Sequence, residues 1–203
     1  MIKKTFFLLA YLMLLVSCTG CSFSKIDADE EGVMVMKPWF FGHGGVDNIP
    51  LTTGNTWTAW TTEVVRFKII PVQYDEKFSD IMSSDNTPVD LTAHLLIQIE
   101  KGNTPILLKN FGENWYRNDI QKDLCNEVRN EISKYSMMEL TCKRAIYDNA
   151  SQHIENILRN KVKNEKIPIT IMKVIIDKAS PNSEVMEEYN KTAAQIQAKQ
   201  TQL

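Results

Sequence analysis

The chain has 203 residues, of which 43% are hydrophobic and 24% are charged, and its formal net charge is −2. This length and apolar content fit one globular domain with a packed core. The slightly acidic balance argues against a nucleic-acid-binding protein, because such proteins hold phosphates with clustered basic residues. The four cysteines are too few for a disulfide scaffold.

The first eighteen residues have the layout of a bacterial secretory signal. Two early lysines precede a nearly apolar run from Thr5 to Ser17, and Leu15-Val16-Ser17 stands directly before Cys18. The run is shorter than the about 20 apolar residues that a spanning helix needs, which disfavours a plain transmembrane anchor. This end resembles the lipobox of bacterial lipoproteins, in which a signal is cleaved before a cysteine that then carries lipid. The resemblance implies a signal peptide over residues 1–17 and a lipidated Cys18.

A lipidated Cys18 would hold the mature protein at a bacterial envelope membrane, with its domain on the periplasmic or extracellular side. The residues that follow are polar and acidic, with four carboxylates between Asp27 and Glu31. We interpret residues 18–31 as the lipidated cysteine and a tether that keeps the domain off the bilayer. The folded domain is expected to begin near Gly32.

Short β-strands are predicted from Val33 onward. The cluster Gly42–Gly45 is expected to be a loop or tight turn, and Pro71 interrupts a run of β-branched residues. The strongest strand is Val89–Ile99, where apolar and polar residues alternate so that one face is covered and the other is wetter. The other predicted extended segments are 33–36, 46–51, 56–62, 63–70 and 72–78.

The periodicity becomes helical after Asn118. Apolar residues then recur every four positions at Ile120, Leu124, Val128 and Ile132, which is one stripe of a helix. A capping box at Ser136 to Glu139 predicts a second helix that runs to about Glu165, and 167–176 is a strand. Ser180-Pro181 is expected to open a last helix, because proline is favoured at the first helical position.

The tail, residues 181–203, carries a short seam of the coiled-coil type. Its apolar positions are spaced alternately by three and four residues over fewer than three heptads. We expect this seam to contact another copy of the chain. Its members are Met186, Tyr189, Ala193 and Ile196.

The order of these elements resembles the SPFH domain (stomatin, prohibitin, flotillin), also called Band 7. The matching segments are Gly32-Val33 with Ile49–Gly54, the turn Ser84–Asp90, the helix start Ser136–Arg144, and Ile167–Ile176 followed by Pro181. The resemblance implies an α+β fold over residues 32–180, in which a small antiparallel or mixed sheet packs against a helical hairpin, with a short helical tail at 181–203.

The resemblance also implies a function. Such domains are non-enzymatic scaffolds that oligomerise at membranes and organise or regulate membrane proteins, for example a membrane protease, or lipids. Two departures matter. Lys166 stands where the family usually has glycine. Relatives continue into a long coiled coil that drives assembly, whereas the seam in residues 181–203 is short, so we expect it to support less extensive assembly.

Candidate chemistry is sparse. His43, His94 and His153 lie on separate predicted elements without metal-ligand spacing, and neither a nucleophile elbow nor a phosphate loop occurs. We therefore expect a non-enzyme with no cofactor and no metal. Cys125 and Cys142 either form one disulfide or remain two partly buried thiols, and the thiols are favoured.

Aromatic residues are the better functional lead. Trp39, Phe40 and Phe41 follow the tether, and Trp57 and Trp60 come soon after. Such side chains either lie at the membrane interface, as membrane-proximal aromatics, or fill a small β core. The second alternative is slightly favoured.

A different class of function also stays open. The chain would then be a monomeric periplasmic lipoprotein that binds a ligand or an envelope polymer, with its tail folded back on its own domain. The two hypotheses differ in the expected size of the particle.

Overall fold

The structure is a computed structural model, and it describes residues 21–39, 44–181 and Glu187. The chain divides into two compact units. One contains the described residues up to Ile70 together with Ile99–Glu113, and the other contains Pro71–Gln98 and the described residues from Asn114 onward. The predicted α+β class, with small antiparallel sheets and a few helices, is confirmed.

The first unit consists of five short strands and one helix. Strands β1 and β4 form an antiparallel pair, and β2 lies between β3 and β5. Ile26, Val33, Phe67 and Leu107 are the buried apolar residues around which these elements pack. The elements are β1 (Cys21–Ile26), β2 (Glu30–Met36), β3 (Gly45–Val46), β4 (Gly54–Ala59), β5 (Thr62–Lys68) and α1 (Thr104–Phe111).

The predicted tether is wrong for Cys21–Ile26, which is strand β1. Polar residues dominate this strand, so the hydrophobic pattern does not reveal it; backbone pairing with β4 holds it instead. Its last residue, Ile26, packs so closely on β2 that a Cβ added at Gly32 would lie 2.6 Å from the Ile26 Cδ1. A side chain at this position would therefore displace the end of the Ile26 side chain, so close packing favours glycine here.

The second unit contains a sheet in the order β6-β7-β8, with β9 also pairing with β7. A π-helical turn (Tyr116–Ile120) leads directly into α2, and the three α-helices follow one another before β8. The elements are β6 (Val72–Met82), β7 (Pro88–Ile99), α2 (Gln121–Ile132), α3 (Met137–Cys142), α4 (Arg144–Glu165), β8 (Ile169–Ile176) and β9 (Ser180–Pro181).

The long periodic predictions are confirmed. Burial alternates along the whole of β7, with its predicted apolar positions inside. The helical stripe from Ile120 to Ile132 is fully buried at all four positions. The capping box is present, because Ser136 Oγ accepts from the Glu139 N–H and the Glu139 carboxylate accepts from the Ser136 N–H, both at 3.3 Å.

Two predictions about helix limits are corrected. The helix expected from Ser136 to about Glu165 is broken at Lys143, whose backbone is extended, so α3 and α4 are separate helices. Ser180-Pro181 does not open a helix but forms β9, where Pro181 pairs with Val89. Proline is tolerated in so short a strand because it lies at a sheet margin. The tail seam (Met186, Tyr189, Ala193, Ile196) lies outside the described residues.

Side chains of α4 form hydrogen bonds with several backbone groups of β8, the last strand in the sheet order. Ser151 Oγ and a Glu155 carboxylate oxygen each accept a hydrogen bond at 3.2 Å, from the N–H of Ile176 and Val174 respectively. The Arg159 guanidinium donates to the Ile171 carbonyl at 3.1 Å. These side-chain hydrogen bonds compete with pairing of β8 to another strand. We call these three side chains the edge ladder.

Lys166, which departs from the family pattern, has an unusual backbone conformation. It follows α4 in the left-handed conformation, with φ 54° and ψ 40°. This geometry favours glycine, because an L side chain there costs about 1–2 kcal/mol. A glycine would adopt this backbone conformation without that cost.

We expect Lys166→Gly to raise the free energy of unfolding by about 0.5–1 kcal/mol, since relief of the left-handed strain exceeds the added chain entropy. Urea denaturation followed by circular dichroism measures this change. The matched control is Lys163→Gly, an exposed residue inside the last turn of α4, which should lower stability by about 1 kcal/mol. Destabilisation by both variants would contradict the strain argument.

Candidate functional site

Two aromatic side chains stand on the outward face of the β1–β4 pair. Phe23 and Trp57 are cross-strand partners, and their rings meet edge to face with centroids 5.3 Å apart. They are 53% and 73% exposed, whereas Ile26 and Thr58, on the opposite face, are buried. The pairing register therefore turns both rings away from the core.

A second aromatic pair is formed by Trp39, after β2, and Trp60, in the turn between β4 and β5. Their ring centroids are 5.5 Å apart, and the side chains are 74% and 63% exposed. The Lys37 N–H donates to the Thr61 carbonyl at 2.9 Å, which fixes the chain beside the turn. Lys37 also forms an ion pair with Glu63, and these residues line a shallow groove together with the two tryptophans.

The structure corrects the interpretation that Trp39, Trp57 and Trp60 fill the β core, since all three are exposed. We call Phe23, Trp39, Trp57 and Trp60 the aromatic set. Exposed clusters of large apolar side chains mark interaction surfaces, and aromatic rings with a polar edge favour the interface between water and lipid. Phe40 and Phe41 lie outside the described residues. Phe23 was missed from sequence because it lay in the expected tether.

A buried carboxylate supports the strand that leads to Trp39. Glu31 in β2 is 2% exposed and accepts hydrogen bonds from the Gly102 N–H at 2.9 and 3.0 Å and from Thr104 Oγ1 at 2.9 Å. Gly102 has φ 86°, a conformation that favours glycine and aims its N–H at the carboxylate. Glu31 thus joins β2 to the start of α1 and has a structural role.

The family model for the SPFH domain / Band 7 family matches residues 24–203. The chain belongs to this family. Family members are in general membrane-associated, non-enzymatic scaffolds that oligomerise. A search of curated proteins finds no match to this chain. None of the helices formed by the described residues is both long and apolar enough to cross a membrane.

His94 lies at the centre of a polar cluster in the second unit of this SPFH protein. Its Nδ1 is 2.6 Å from an Asp75 carboxylate oxygen on β6, and its Nε2 is 3.0 Å from an Asp177 oxygen at the end of β8. A neutral imidazole has only one N–H, so the protonated ring alone donates to both carboxylates. The hydrogen bond to Asp75 makes the largest contribution to raising the pKa of His94 above its usual value, and the hydrogen bond to Asp177 makes the next largest. The hydrogen bond to His94 in turn lowers the pKa of Asp75.

This cluster predicts a pH dependence of stability. Because the folded-state pKa of His94 lies above its unfolded value of about 6.5, the folded state binds more protons, and its free energy of unfolding falls as pH rises from about 6.5 through the folded pKa. We expect urea denaturation to show a steeper fall between pH 6 and 9 for the native chain than for His94→Asn. Parallel slopes for the two chains would contradict this assignment.

The cysteines of the SPFH domain are both free, and Cys142 is exposed rather than partly buried as expected. Burial, with a further contribution from Glu76, raises the pKa of Cys125, which opposes a role as nucleophile. The neighbouring Glu76 carboxylate accepts from Tyr116 OH at 2.8 Å and from Gln121 Nε2 at 3.0 Å. The π-helical turn brings both donors to Glu76, so this network is structural.

The remaining candidate residues from the sequence, the other two histidines, are not brought together into one site among the described residues. His153 Nε2 is 3.9 Å from a Glu131 oxygen, and His43 lies outside the described residues. Across residues 21–39 and 44–181, no group of three histidine, cysteine or acidic side chains is placed to hold a metal ion. The aromatic set is therefore the best candidate functional site.

Proposed function

We propose that this protein is a lipid-anchored SPFH scaffold of a bacterial envelope membrane. The lipid on Cys18 holds the chain at the bilayer, the aromatic set with Phe40 and Phe41 faces the membrane surface, and the tail seam joins neighbouring copies. The assembly would organise or regulate membrane proteins or lipids on the periplasmic or extracellular side. The exposed aromatic set is the observation that carries this proposal.

Chain length supports the membrane-facing orientation. Phe23 is five residues beyond Cys18, and five extended residues span at most about 17 Å. The Phe23 Cα therefore lies within about 17 Å of the Cys18 Cα. This short reach keeps the Phe23–Trp57 ring pair near the anchor. Trp60 follows Trp57 by three residues, so the second ring pair is also close to this end of the chain.

The aromatic set would give the anchored domain a defined orientation. A lipid on a flexible tether fixes position but leaves the domain free to rotate. In contrast, β1 begins within three residues of Cys18, and four exposed rings add contacts at the bilayer interface. Burying even half of one such side chain contributes roughly 1–1.5 kcal/mol.

Vesicle binding tests the membrane-facing surface. We expect the mature chain with Cys18→Ser, which lacks the lipid, to bind vesicles of phosphatidylethanolamine and phosphatidylglycerol weakly. Phe23→Ser/Trp57→Ser should reduce the partition coefficient about tenfold or more, since 1.4 kcal/mol corresponds to one factor of ten. Met138→Ser is the matched control, because Met138 is 77% exposed but lies in the other unit. Equal binding by all variants would refute the proposed surface.

Fatty-acid labelling tests the anchor itself. Cells expressing the full chain should incorporate labelled palmitate into the protein, and Cys18→Ser should abolish the label. Cys21→Ser is the control, because Cys21 is preceded by a poorer match to a lipobox, and it should leave the label unchanged. Loss of the label only in Cys21→Ser would move the anchor to that residue.

Particle mass tests the scaffold. Light scattering of the lipidated protein in detergent should give a discrete particle many times the 23.3 kDa chain, and deletion of residues 186–203 should shrink it. A monomer would exclude the scaffold and favour the monomeric binding lipoprotein, and an unchanged mass after the deletion would remove the tail from assembly.

A further inference from the structure

The shallow groove beside Trp39 and Trp60 combines aromatic rings with one charge of each sign. Its volume is about 470 Å³, and Lys37 and Glu63 are the charged residues of its lining. The lining therefore has no net charge. A zwitterionic ligand matches such a groove better than a plain anion or a plain cation, because a ligand with a single charge would leave one side chain without a counterpart.

Backbone pairing fixes the walls of this groove. Strands β2 and β5 are antiparallel partners, with Val35 opposite Glu63 and Met36 opposite Thr62. The hydrogen bond from the Lys37 N–H to the Thr61 carbonyl, 2.9 Å long, continues this pairing into the turn that carries Trp60. The groove therefore needs no refolding before it binds a ligand, which reduces the entropic cost of binding.

The ion pair between Lys37 and Glu63 is open to solvent, because 65% and 58% of the two side chains are exposed. An exposed pair of this kind contributes little to stability. Its members can therefore exchange each other for the two charges of a ligand. The lysine ammonium donates hydrogen bonds to a phosphate, and the carboxylate accepts them from a primary ammonium group.

Trp39 and Trp60 add a second binding element for the ammonium group. Indole is the aromatic ring that attracts cations most strongly. The two rings meet at an interplanar angle of 68°, an edge-to-face arrangement in which neither ring covers both faces of the other. Because both side chains are also exposed, an indole face stays open to a cation beside Glu63.

We propose that this groove binds the headgroup of phosphatidylethanolamine, with its phosphate on Lys37 and its ammonium group between Glu63 and the indole rings. This inference rests on the proposed function, in which the aromatic set faces a bilayer, and it names the lipid that part of this surface selects. The acyl chains stay in the membrane, so an open groove is sufficient. Phosphatidylglycerol has no ammonium group, and the quaternary ammonium of phosphatidylcholine cannot donate a hydrogen bond to Glu63.

Nuclear magnetic resonance of the indole N–H groups tests binding in the groove. The four tryptophans are Trp39, Trp57, Trp60 and Trp115, and single tryptophan-to-phenylalanine variants assign their signals. In the mature Cys18→Ser chain, dihexanoylphosphatidylethanolamine below its micelle concentration should shift the signals of Trp39 and Trp60. The signal of Trp115, which is 4% exposed, should stay unchanged. Unshifted signals from the two groove tryptophans, or an equal shift with dihexanoylphosphatidylglycerol, would overturn the proposal.

Vesicle binding tests the selection between lipids. With the phosphatidylglycerol content held constant, the remaining lipid is either phosphatidylethanolamine or phosphatidylcholine. We expect the Cys18→Ser chain to partition about threefold to fivefold more strongly into the phosphatidylethanolamine vesicles, the ratio expected from one exposed charged contact. Glu63→Gln should abolish this preference. Glu113→Gln, an equal charge change at an exposed residue outside the groove, should preserve it.

A preference that persists in Glu63→Gln would arise from lipid packing and would overturn headgroup recognition. The outcomes also separate this inference from the proposed membrane-facing surface. If Phe23→Ser/Trp57→Ser weakens binding to both kinds of vesicle and no preference between them is found, the surface stands and the groove does not select the lipid. If the Cys18→Ser chain binds neither kind, the membrane-facing surface itself fails.

Discussion

Glu31→Ala is expected to lower the free energy of unfolding by about 3–5 kcal/mol, because each hydrogen bond to a charged group contributes about 1.5–3 kcal/mol. The variant leaves the Gly102 N–H and the fully buried Thr104 hydroxyl without their acceptor. The buried Thr104 hydroxyl, once unsatisfied, costs about 1–3 kcal/mol. The link between β2 and α1 should loosen with it.

Urea denaturation followed by tryptophan fluorescence measures this loss, since three of the four tryptophans lie in the first unit. Glu63→Ala is the control. Glu63 also lies in the first unit and forms an ion pair, but it is exposed, so its removal should cost at most about 1 kcal/mol. If Glu31→Ala were as mild as the control, the carboxylate would not be a structural anchor.

Leu124→Ala is expected to cost about 3–5 kcal/mol in the second unit. Leu124 is fully buried in the middle of the α2 stripe, between Ile120 and Val128. Truncation removes apolar contacts and leaves a cavity that the helix packing cannot fill.

Thermal unfolding followed by circular dichroism is the measurement, and Lys122→Ala is its control on the same helix. Lys122 is exposed, and alanine is the strongest helix former, so this variant should be neutral or slightly stabilising. Comparable losses in both variants would show that α2 is sensitive to any change and that the stripe has no special role.

Long regular elements could be predicted from sequence because their signal repeats. Strand β7 shows twelve residues of alternating burial, and the stripe from Ile120 to Ile132 recurs at four positions, so single exceptions such as Leu96 do not obscure the period. The capping box could also be predicted from the sequence, because it is a local motif that needs no distant partner.

Features that depend on distant pairing could not be predicted. Strand β1 is polar, so its residues show no apolar alternation in the sequence. It is recognised as a strand only by its pairing with β4, in the register that places Phe23 opposite Trp57. In the sequence, Glu31 is one of several neighbouring acidic residues, and nothing local distinguishes it. Its hydrogen-bond partners lie 71 and 73 residues away along the chain. The sequence indicated Trp39 as a surface candidate, but whether it was exposed depended on packing that local pattern does not encode.

The edge ladder of Ser151, Glu155 and Arg159 has a consequence for a protein confined to a membrane. The proposed lipid anchor would bring copies to a high local concentration in two dimensions, where an open strand would template the growth of a continuous sheet. Because α4 side chains bond these backbone groups of β8, pairing of this edge with a strand of another copy would first require breaking these hydrogen bonds. The edge ladder therefore disfavours sheet extension at β8 and leaves side-chain contacts as the favoured way for another copy to meet this edge.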